Sequence, residues 1–280
     1  EMGLQRYYKD STAACQCDDL NMPVFHNSGH IKPGHRDLLE RFSHLELESL
    51  PTGGWGYDHF PMSAKYCVNL PHDFMGMTGK FHTTWGEFGG FKHPNALRYE
   101  CAAMLAYGAK CSIGDQLHPN GKLDTATYEL IGQAYAEVEA KEAWCDNVET
   151  VSDIALLSSA AVNDGAGREA PGDTGAGRAL LEGHFMFDVI DGETALEKYR
   201  MVVLPDDIRV DDGLKKKLDV FLASGGKLML TGTSGFTKDG ECLFDIGATC
   251  HGESPFRPDY VSFADQVRPD FCTTPVVMYL

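Results

Sequence analysis

Residues 44–51 read His44-Leu-Glu-Leu-Glu-Ser-Leu-Pro51, a short apolar run that leads into Thr52-Gly-Gly-Trp-Gly-Tyr57. Two later runs repeat this pattern: Phe74-Met-Gly-Met-Thr-Gly79 leads into Phe81-His-Thr-Thr-Trp-Gly-Glu87, and Lys110-Cys-Ser-Ile113 into Gly114-Asp-Gln-Leu-His-Pro119. A helix-like segment separates each run from the next. Polar, aromatic and Gly-rich segments at the carboxyl ends of parallel strands form the active sites of β/α barrels. Because carboxylates beside indole rings suit sugar chemistry, we expect a carbohydrate-active protein.

The composition is that of a soluble globular protein with room for two domains. The chain has 280 residues, of which 43% are hydrophobic and 23% charged. A net charge of -17 argues against nucleic acid as a partner, because Lys and Arg dominate phosphate binding. No apolar run approaches the roughly 20 residues that span a bilayer, so no membrane partner is expected.

The nine cysteines do not follow a metal-binding pattern. Cys15-Gln-Cys17 is the only close pair, and no CxxC or matching His spacing follows it. The apolar neighbours of Cys67, Cys101 and Cys111 indicate reduced cysteines in a core, which favours a cytoplasmic location. Neither a metal nor another cofactor is expected.

The first half alternates strands and helices. Strands are predicted at 23–27, 45–50, 73–78 and 109–113, and helices at 36–43, 61–70, 95–107 and 125–144, the last capped by Asp124. Four βα units in a row predict a parallel sheet with helices outside, which we place at residues 1–147.

Residues 148–280 form a second α/β pattern. Strands are predicted at 151–158, 187–190, 201–205 and 227–231, with helices at 179–186 and 211–224 and a polar loop at 163–177. This is typical of a flavodoxin-like, doubly wound domain. No regular structure is predicted from 235 until a strand at 276–280. That strand looks cut short, and the chain begins inside an apparent helix, so both ends resemble truncations.

Two carboxylates on one strand are the first catalytic candidates. Glu46 and Glu48 are two residues apart and project from one face, and Glu48 is nearer the strand end. Glycoside hydrolysis uses two carboxyl groups, although these usually come from different strands. The alternatives are a solvent-facing strand edge and a structural ion pair with Arg41 or Lys65.

The loops after the strands supply the other candidates. Glu87 follows Trp85 and is either a catalytic partner of Glu48, a ligand for sugar hydroxyls or a surface acid. Trp55 and Trp85 are candidate sugar platforms or core residues, because indole rings serve both roles. The remaining candidates are polar residues at strand ends, each of which also suits a structural hydrogen bond or a turn: His26, Asn27, His82 and Asp115.

The second half offers no catalytic motif. Gly165-Ala-Gly-Arg168 and Gly175-Ala-Gly-Arg178 lack the P-loop and dinucleotide-binding spacings, so flexible loop is predicted for both. Gly232-Thr-Ser-Gly235 follows a strand but lacks the spacing of a nucleophile elbow.

These motifs resemble a known family. Residues 47–57, 81–87 and 99–114 are similar to the carboxyl-terminal half of the barrel in glycoside hydrolases related to the family 42 β-galactosidases. Residues 151–280 resemble the β-galactosidase trimerisation domain, a relative of class I glutamine amidotransferases without their catalytic Cys. The resemblance implies the C-terminal half of a (β/α)8 barrel followed by a flavodoxin-like, class I glutamine amidotransferase-like domain, a carbohydrate substrate and a homo-oligomer, either trimer or dimer.

The chain departs from that family at both catalytic positions. The family's acid/base comes from the fourth barrel strand, which would precede this chain, and its nucleophile would fall near Met77, where no Glu stands. The leading hypothesis is a glycoside hydrolase that uses Glu48 and Glu87. The alternative is a non-catalytic sugar-binding or oligomerisation module. An amidotransferase is disfavoured, because no nucleophile follows the relevant strands.

Overall fold

The structure is a computed structural model that describes residues 2–27, 29–163, 170–237, 239–249, 251–252, 254–266 and 276–278. The chain divides into two compact units, Glu1–Gly235 and Phe236–Leu280. The predicted boundary at residue 147 stays a prediction, and the larger unit contains all of the first predicted segment together with residues 148–235 of the second.

The first sheet has three parallel strands in sequence order: β1 (Leu45–Glu48), β2 (Phe74–Gly79) and β3 (Lys110–Gly114). Helices precede, separate and follow them: α1 (Met2–Cys15), α2 (Arg36–Leu39), α3 (His59–Cys67), α4 (Pro94–Ala106) and α5 (Thr125–Glu139). Parallel neighbours need such crossover helices, so all three strands run in one direction and end at one rim of the sheet.

Local sequence signals fix the ends of these helices. Asp124 caps α5 by accepting a hydrogen bond from the backbone N–H of Ala126 at 3.0 Å, as predicted. Gly108 lies between α4 and β3 with a φ of +81°, a conformation that a residue without a Cβ adopts readily. The chain therefore turns sharply from α4 into β3.

The second sheet also has only parallel strands. Its order is β5 (Phe187–Ile190), β4 (Ile154–Leu157), β6 (Met201–Leu204), β7 (Lys227–Leu230). The helices of this segment are α6 (Ser159–Val162), α7 (Pro171–Glu182) and α8 (Asp212–Ala223). The near-continuous apolar character of β4, β5 and β6 agrees with burial on both faces.

The two sheets share one hydrophobic core. Leu47 of β1, Ala64 of α3 and Leu156, Phe187 and Val203 of the second sheet belong to a single buried cluster. Helix α3 packs on β1 and also on β5. The larger unit therefore folds around α3 as a layer between the sheets.

A partly buried ion pair also links α2 to the residue that follows β5. Arg36 donates to Asp191 through Nε at 2.7 Å and Nη2 at 2.8 Å, and the hydroxyl of Tyr66 donates to the same carboxylate at 2.8 Å. Burial raises the pKa of Asp191, but the hydrogen bonds from Arg36, Tyr66 and Thr194 outweigh it and lower this pKa to about 2.

Two stretches of the larger unit, residues 23–27 and 175–178, contradict the predicted secondary structure. Residues 23–27 form no strand, because Pro23 has no N–H and Val24 directs both backbone groups to Ser43. The stretch Gly175-Ala-Gly-Arg178 is helical, not loop, and lies within α7. A Cβ on Gly177 would overlap the thioether end of Met62, so this glycine packs closely against a flexible side chain. Residues 165–168 lie outside the described residues.

The smaller unit contains an antiparallel pair, β8 (Asp259–Val261) and β9 (Val276–Met278). Strand β9 agrees with the predicted terminal strand, whereas β8 contradicts the absence of regular structure predicted before residue 275. A three-residue strand that pairs with a distant segment carries too little periodicity to recognise. No helix in the described part of the chain has the length and apolar character of a membrane-crossing segment.

Candidate functional site

The open face of the first sheet carries the predicted carboxylates. Leu45 and Leu47 of β1 are buried in the core on the helix side, so Glu46 and Glu48 project from the opposite face. Glu48 pairs in register with Met77 of β2. The Glu48 carboxylate therefore starts from a backbone position about 5 Å from that of Met77, at the same level of the sheet.

Glu46 lies two residues before Glu48 on the same face of β1, farther from the carboxyl end of the strand. Its Oε1 lies 3.8 Å from Nε2 of His44. Burial raises the pKa of Glu46, and the nearby His44 lowers it in part. This carboxylate has a local partner, so it suits a structural role better than Glu48 does.

A backbone loop closes over Glu48 at the rim. The Glu48 N–H donates to the carbonyl of Gly29 at 3.1 Å. A Cβ on Gly29 would lie 3.1 Å from Oε2 of Glu48, and the φ of Gly29 is +67°. Glycine at this position lets the main chain approach the carboxylate closely.

Three aromatic rings from both sides of β1 in the sequence form a cluster. Trp55 lies 5.7 Å from the ring of His30 and 5.1 Å from that of His59, and the two imidazoles are 5.2 Å apart. Nδ1 of His59 is 3.2 Å from the hydroxyl of buried Ser49, which directly follows Glu48. Sequence reasoning found Trp55 but missed both histidines, which stand three and nine residues beyond the predicted strands at 23–27 and 45–50.

The loop after β2 presents Trp85 to solvent. Trp85 packs against Phe81 with ring centroids 5.5 Å apart, and its Cζ2 would lie 2.9 Å from a Cβ on Gly114 at the end of β3. The side chain is 40% exposed. An indole held on one face and open on the other suits stacking against a sugar ring.

Glu87 supports its own loop. Oε2 accepts hydrogen bonds from the backbone N–H and the hydroxyl of Thr83, both at 2.8 Å. These bonds lower the pKa of Glu87. A carboxyl with a lowered pKa is a poorer general acid, so this arrangement suits a base, a hydroxyl ligand or a loop brace.

Asp115 and its neighbour connect the loops after β2 and β3. Oδ1 of Asp115 accepts a hydrogen bond from the N–H of Gln116 at 2.7 Å. The Gln116 side chain donates to the carbonyl of Gly86 at 2.6 Å. The structure therefore brings the Trp85 loop and Asp115 to adjoining positions on the rim.

The other predicted residues lie in different settings. His26 is buried against α1, stacked on Tyr8 at 4.3 Å with Nε2 2.9 Å from the hydroxyl of Thr12, and burial lowers its pKa. This is the structural hydrogen bond considered as its alternative role. Asn27 and His82 are exposed. Within the described ranges, no three or more His, Cys, Asp and Glu side chains are arranged to hold a metal ion.

Comparison with known proteins identifies relatives. Residues 178–249 match the family model described as the β-galactosidase trimerisation domain. No curated protein matches the chain. An α-L-fucosidase, isoenzyme 2 from Paenibacillus thiaminolyticus, is 51% identical with a TM-score of 0.91, over 98% of this chain and 42% of its own.

Two β-galactosidase structures are more distant. The enzyme from Bacillus circulans sp. alkalophilus is 16% identical with a TM-score of 0.64, over 83% of this chain and 39% of its own. The enzyme from Rahnella sp. R3 is 18% identical with a TM-score of 0.57, over 75% of this chain and 36% of its own. Both show a shared fold, and this chain spans less than half the length of each of these three structures.

Proposed function

We propose that this chain, which is related to the glycoside hydrolases of family 42, is part of an enzyme that hydrolyses α-L-fucosides. The observation that carries the proposal is the 51% identity to an α-L-fucosidase over 98% of the chain. The β-galactosidases are 18% identical or less, so they supply the fold and not the substrate.

The proposed architecture is the carboxyl-terminal half of a β/α barrel followed by a flavodoxin-like domain. Three parallel strands in sequence order with crossover helices are what consecutive barrel units would give. In the second sheet, the strands lie in the order second, first, third, fourth, which matches the flavodoxin-type order. The match to a trimerisation domain supports a homo-oligomer.

In this proposal Glu48 is the catalytic carboxylate of the chain. The resemblance to family 42 places a nucleophile near Met77, and Glu48 is the in-register neighbour of Met77 on the same face. Because Glu48 lies on the strand next to that of Met77, its carboxylate lies at the same rim of the sheet. Trp55 and Trp85 are the proposed sugar platforms, and Glu87 and Asp115 the proposed ligands for hydroxyl groups.

The test uses a longer enzyme that contains this chain. Glu48→Gln should lower kcat on a 4-nitrophenyl α-L-fucoside by at least about a hundredfold, the lower range for loss of a catalytic acid or base. Glu46→Gln is the matched control, since it removes a carboxylate from the same strand face, and turnover should change little. Unchanged turnover of the Glu48 variant would reject the role of Glu48.

A sugar-binding module without catalysis is the second candidate. The observation in its favour is Met77, because the position expected for a nucleophile carries no carboxylate. This candidate predicts that L-fucose quenches the Trp fluorescence of the protein while no glycoside is cleaved. Release of 4-nitrophenol at a rate that depends on Glu48 would exclude it.

A further inference from the structure

The loop that carries Trp85 begins and ends at one point. The backbone N–H of Lys92 donates to the carbonyl of Lys80 at 2.8 Å, and the N–H of Lys80 donates to the carbonyl of Gly114 at 3.0 Å. The Lys80 ammonium also donates to the carbonyl of Phe88 at 3.2 Å. The loop is therefore tied at its base to the ends of β2 and β3.

A buried cluster of three side chains lies behind this base. Nζ of Lys92 is 2.7 Å from Oε2 of Glu100 and 2.8 Å from the hydroxyl of Thr78, which itself donates to Oε2 of Glu100 at 2.8 Å. Lys92 is 1% exposed and Glu100 4%. Thr78 belongs to β2, Lys92 ends the loop and Glu100 belongs to α4, so the cluster joins the strand, the loop and the helix.

This cluster is costly to bury. Taking two charges out of water carries a penalty of several kcal/mol per ion, which only good geometry offsets. Burial lowers the pKa of Lys92 and raises that of Glu100, which are the directions that disfavour both charges. Apolar residues of similar volume often stabilise a core equally well, so stability alone is a weak reason for this pair.

The second carboxylate oxygen of Glu100 also indicates that this cluster does more than stabilise the fold. Oε1 of Glu100 is buried and has no hydrogen-bond partner among the described residues. Glu100 lines a cavity of about 20 Å³ together with Ser49, Thr78 and the rings of Tyr57 and Tyr99. That volume admits one water molecule. The site lies on the helix side of the sheet, behind the rim, so it is not a sugar subsite.

We propose that Lys92 and Glu100 are positioning residues that hold Trp85 on the rim. Their pairing fixes the end of the loop in one register against β2 and α4, and the loop in turn keeps Trp85 on Phe81 and over Gly114. The consequence for sugar binding rests on the proposed function. The consequence for the position of Trp85 does not.

The test uses Trp85 as its own reporter. Since the chain has three Trp, a W55F/W144F background leaves only Trp85 fluorescent. Lys92→Met should raise the acrylamide quenching constant of Trp85 about twofold, because a 40% exposed ring becomes almost fully exposed when its loop opens. In the longer enzyme, Lys92→Met should raise KM for an α-L-fucoside about tenfold with little change in kcat, the pattern of lost substrate binding.

Lys65→Met is the matched control. Lys65 is also a buried lysine of the same unit, 7% exposed, with Nζ donating to the carbonyl of Phe187 at 2.8 Å. It lies away from the Trp85 loop, so its loss should leave quenching unchanged. Thr78→Val keeps the ion pair and removes one hydroxyl, and it should give an intermediate increase even where Lys92→Met fails to fold.

Each result decides the proposal. Increased quenching in the Lys92 and Thr78 variants, but not in the Lys65 variant, supports it. Unchanged quenching in folded Lys92 and Thr78 variants overturns it, as does an equal increase in the Lys65 variant. If the wild type neither binds nor cleaves a fucoside, the proposed function fails, and the quenching result still decides the positioning role.

Discussion

Replacing Arg36 with Met tests how the two predicted α/β segments are held together. Asp191 is 1% exposed in its side chain and accepts two hydrogen bonds from Arg36, which is 28% exposed. The variant leaves a buried carboxylate with Tyr66 and Thr194 as its side-chain donors. Breaking a buried pair from one side costs about 3–5 kcal/mol, and the partial exposure of Arg36 favours the lower value, about 3 kcal/mol.

The pKa of Asp191 makes part of this stability depend on pH. The native value of about 2 lies below the ordinary 3.8, so the unfolded chain binds this proton more readily. The difference is worth about 2 kcal/mol, present above about pH 4 and lost as pH falls toward 2. In the Arg36 variant the native pKa rises, so stability should depend less on pH in this window.

Urea unfolding followed by near-UV circular dichroism measures both effects. With a slope of about 3 kcal/mol/M, a loss of 3 kcal/mol lowers the midpoint by about 1 M at pH 7. Arg178→Met is the control, since the exposed Arg178 pairs with Asp58 between the same two segments and should contribute little. Equal midpoints for the Arg36 variant and the wild type, or equal losses in both variants, would refute the reasoning.

The remaining predictions address packing, chemistry and assembly. Gly132→Ala should stabilise the protein by about 1 kcal/mol, because this exposed helical glycine has open space around it. Gly76→Ala should destabilise it by about 1–3 kcal/mol, because the new Cβ would lie 2.6 Å from Phe60. Thermal unfolding of both variants checks the opposite signs of the two effects. Glu87→Gln should retain more fucosidase turnover than Glu48→Gln, because Glu87 is a proposed hydroxyl ligand and Glu48 the proposed catalytic carboxylate; equal losses in kcat would contradict this. The chain should self-associate, because unpaired strand edges favour pairing, and a strictly monomeric sedimentation profile would count against it.

Much of the fold could be predicted because its signals are local. Residues 187–190 and 201–204 are mainly apolar runs of strand length, and both form strands within a residue of the predicted ends. Residues 171–178 form the first part of α7, although a loop was predicted there. Their glycines weaken helix propensity, and tertiary contacts such as that of Gly177 with Met62 cannot be derived from the local sequence.

The candidate site shows the same division between local and distant signals. The period of two along β1 correctly placed Glu46 and Glu48 on one face, since alternation is a property of the backbone. The pairing of Lys92 with Glu100 could not be predicted, because a charged residue in a sequence is normally exposed. Its burial depends on how α4 packs on the end of β2.

The position of α3 between two sheets has a practical consequence. This helix packs against β1 near Leu47 and against β5 near Phe187, so both sheets need it to bury their apolar faces. A graft of residues 148–235 into another enzyme should include α3 or provide another apolar surface in its place. A fragment that begins after residue 147 lacks α3 and would expose the apolar face of its sheet to water.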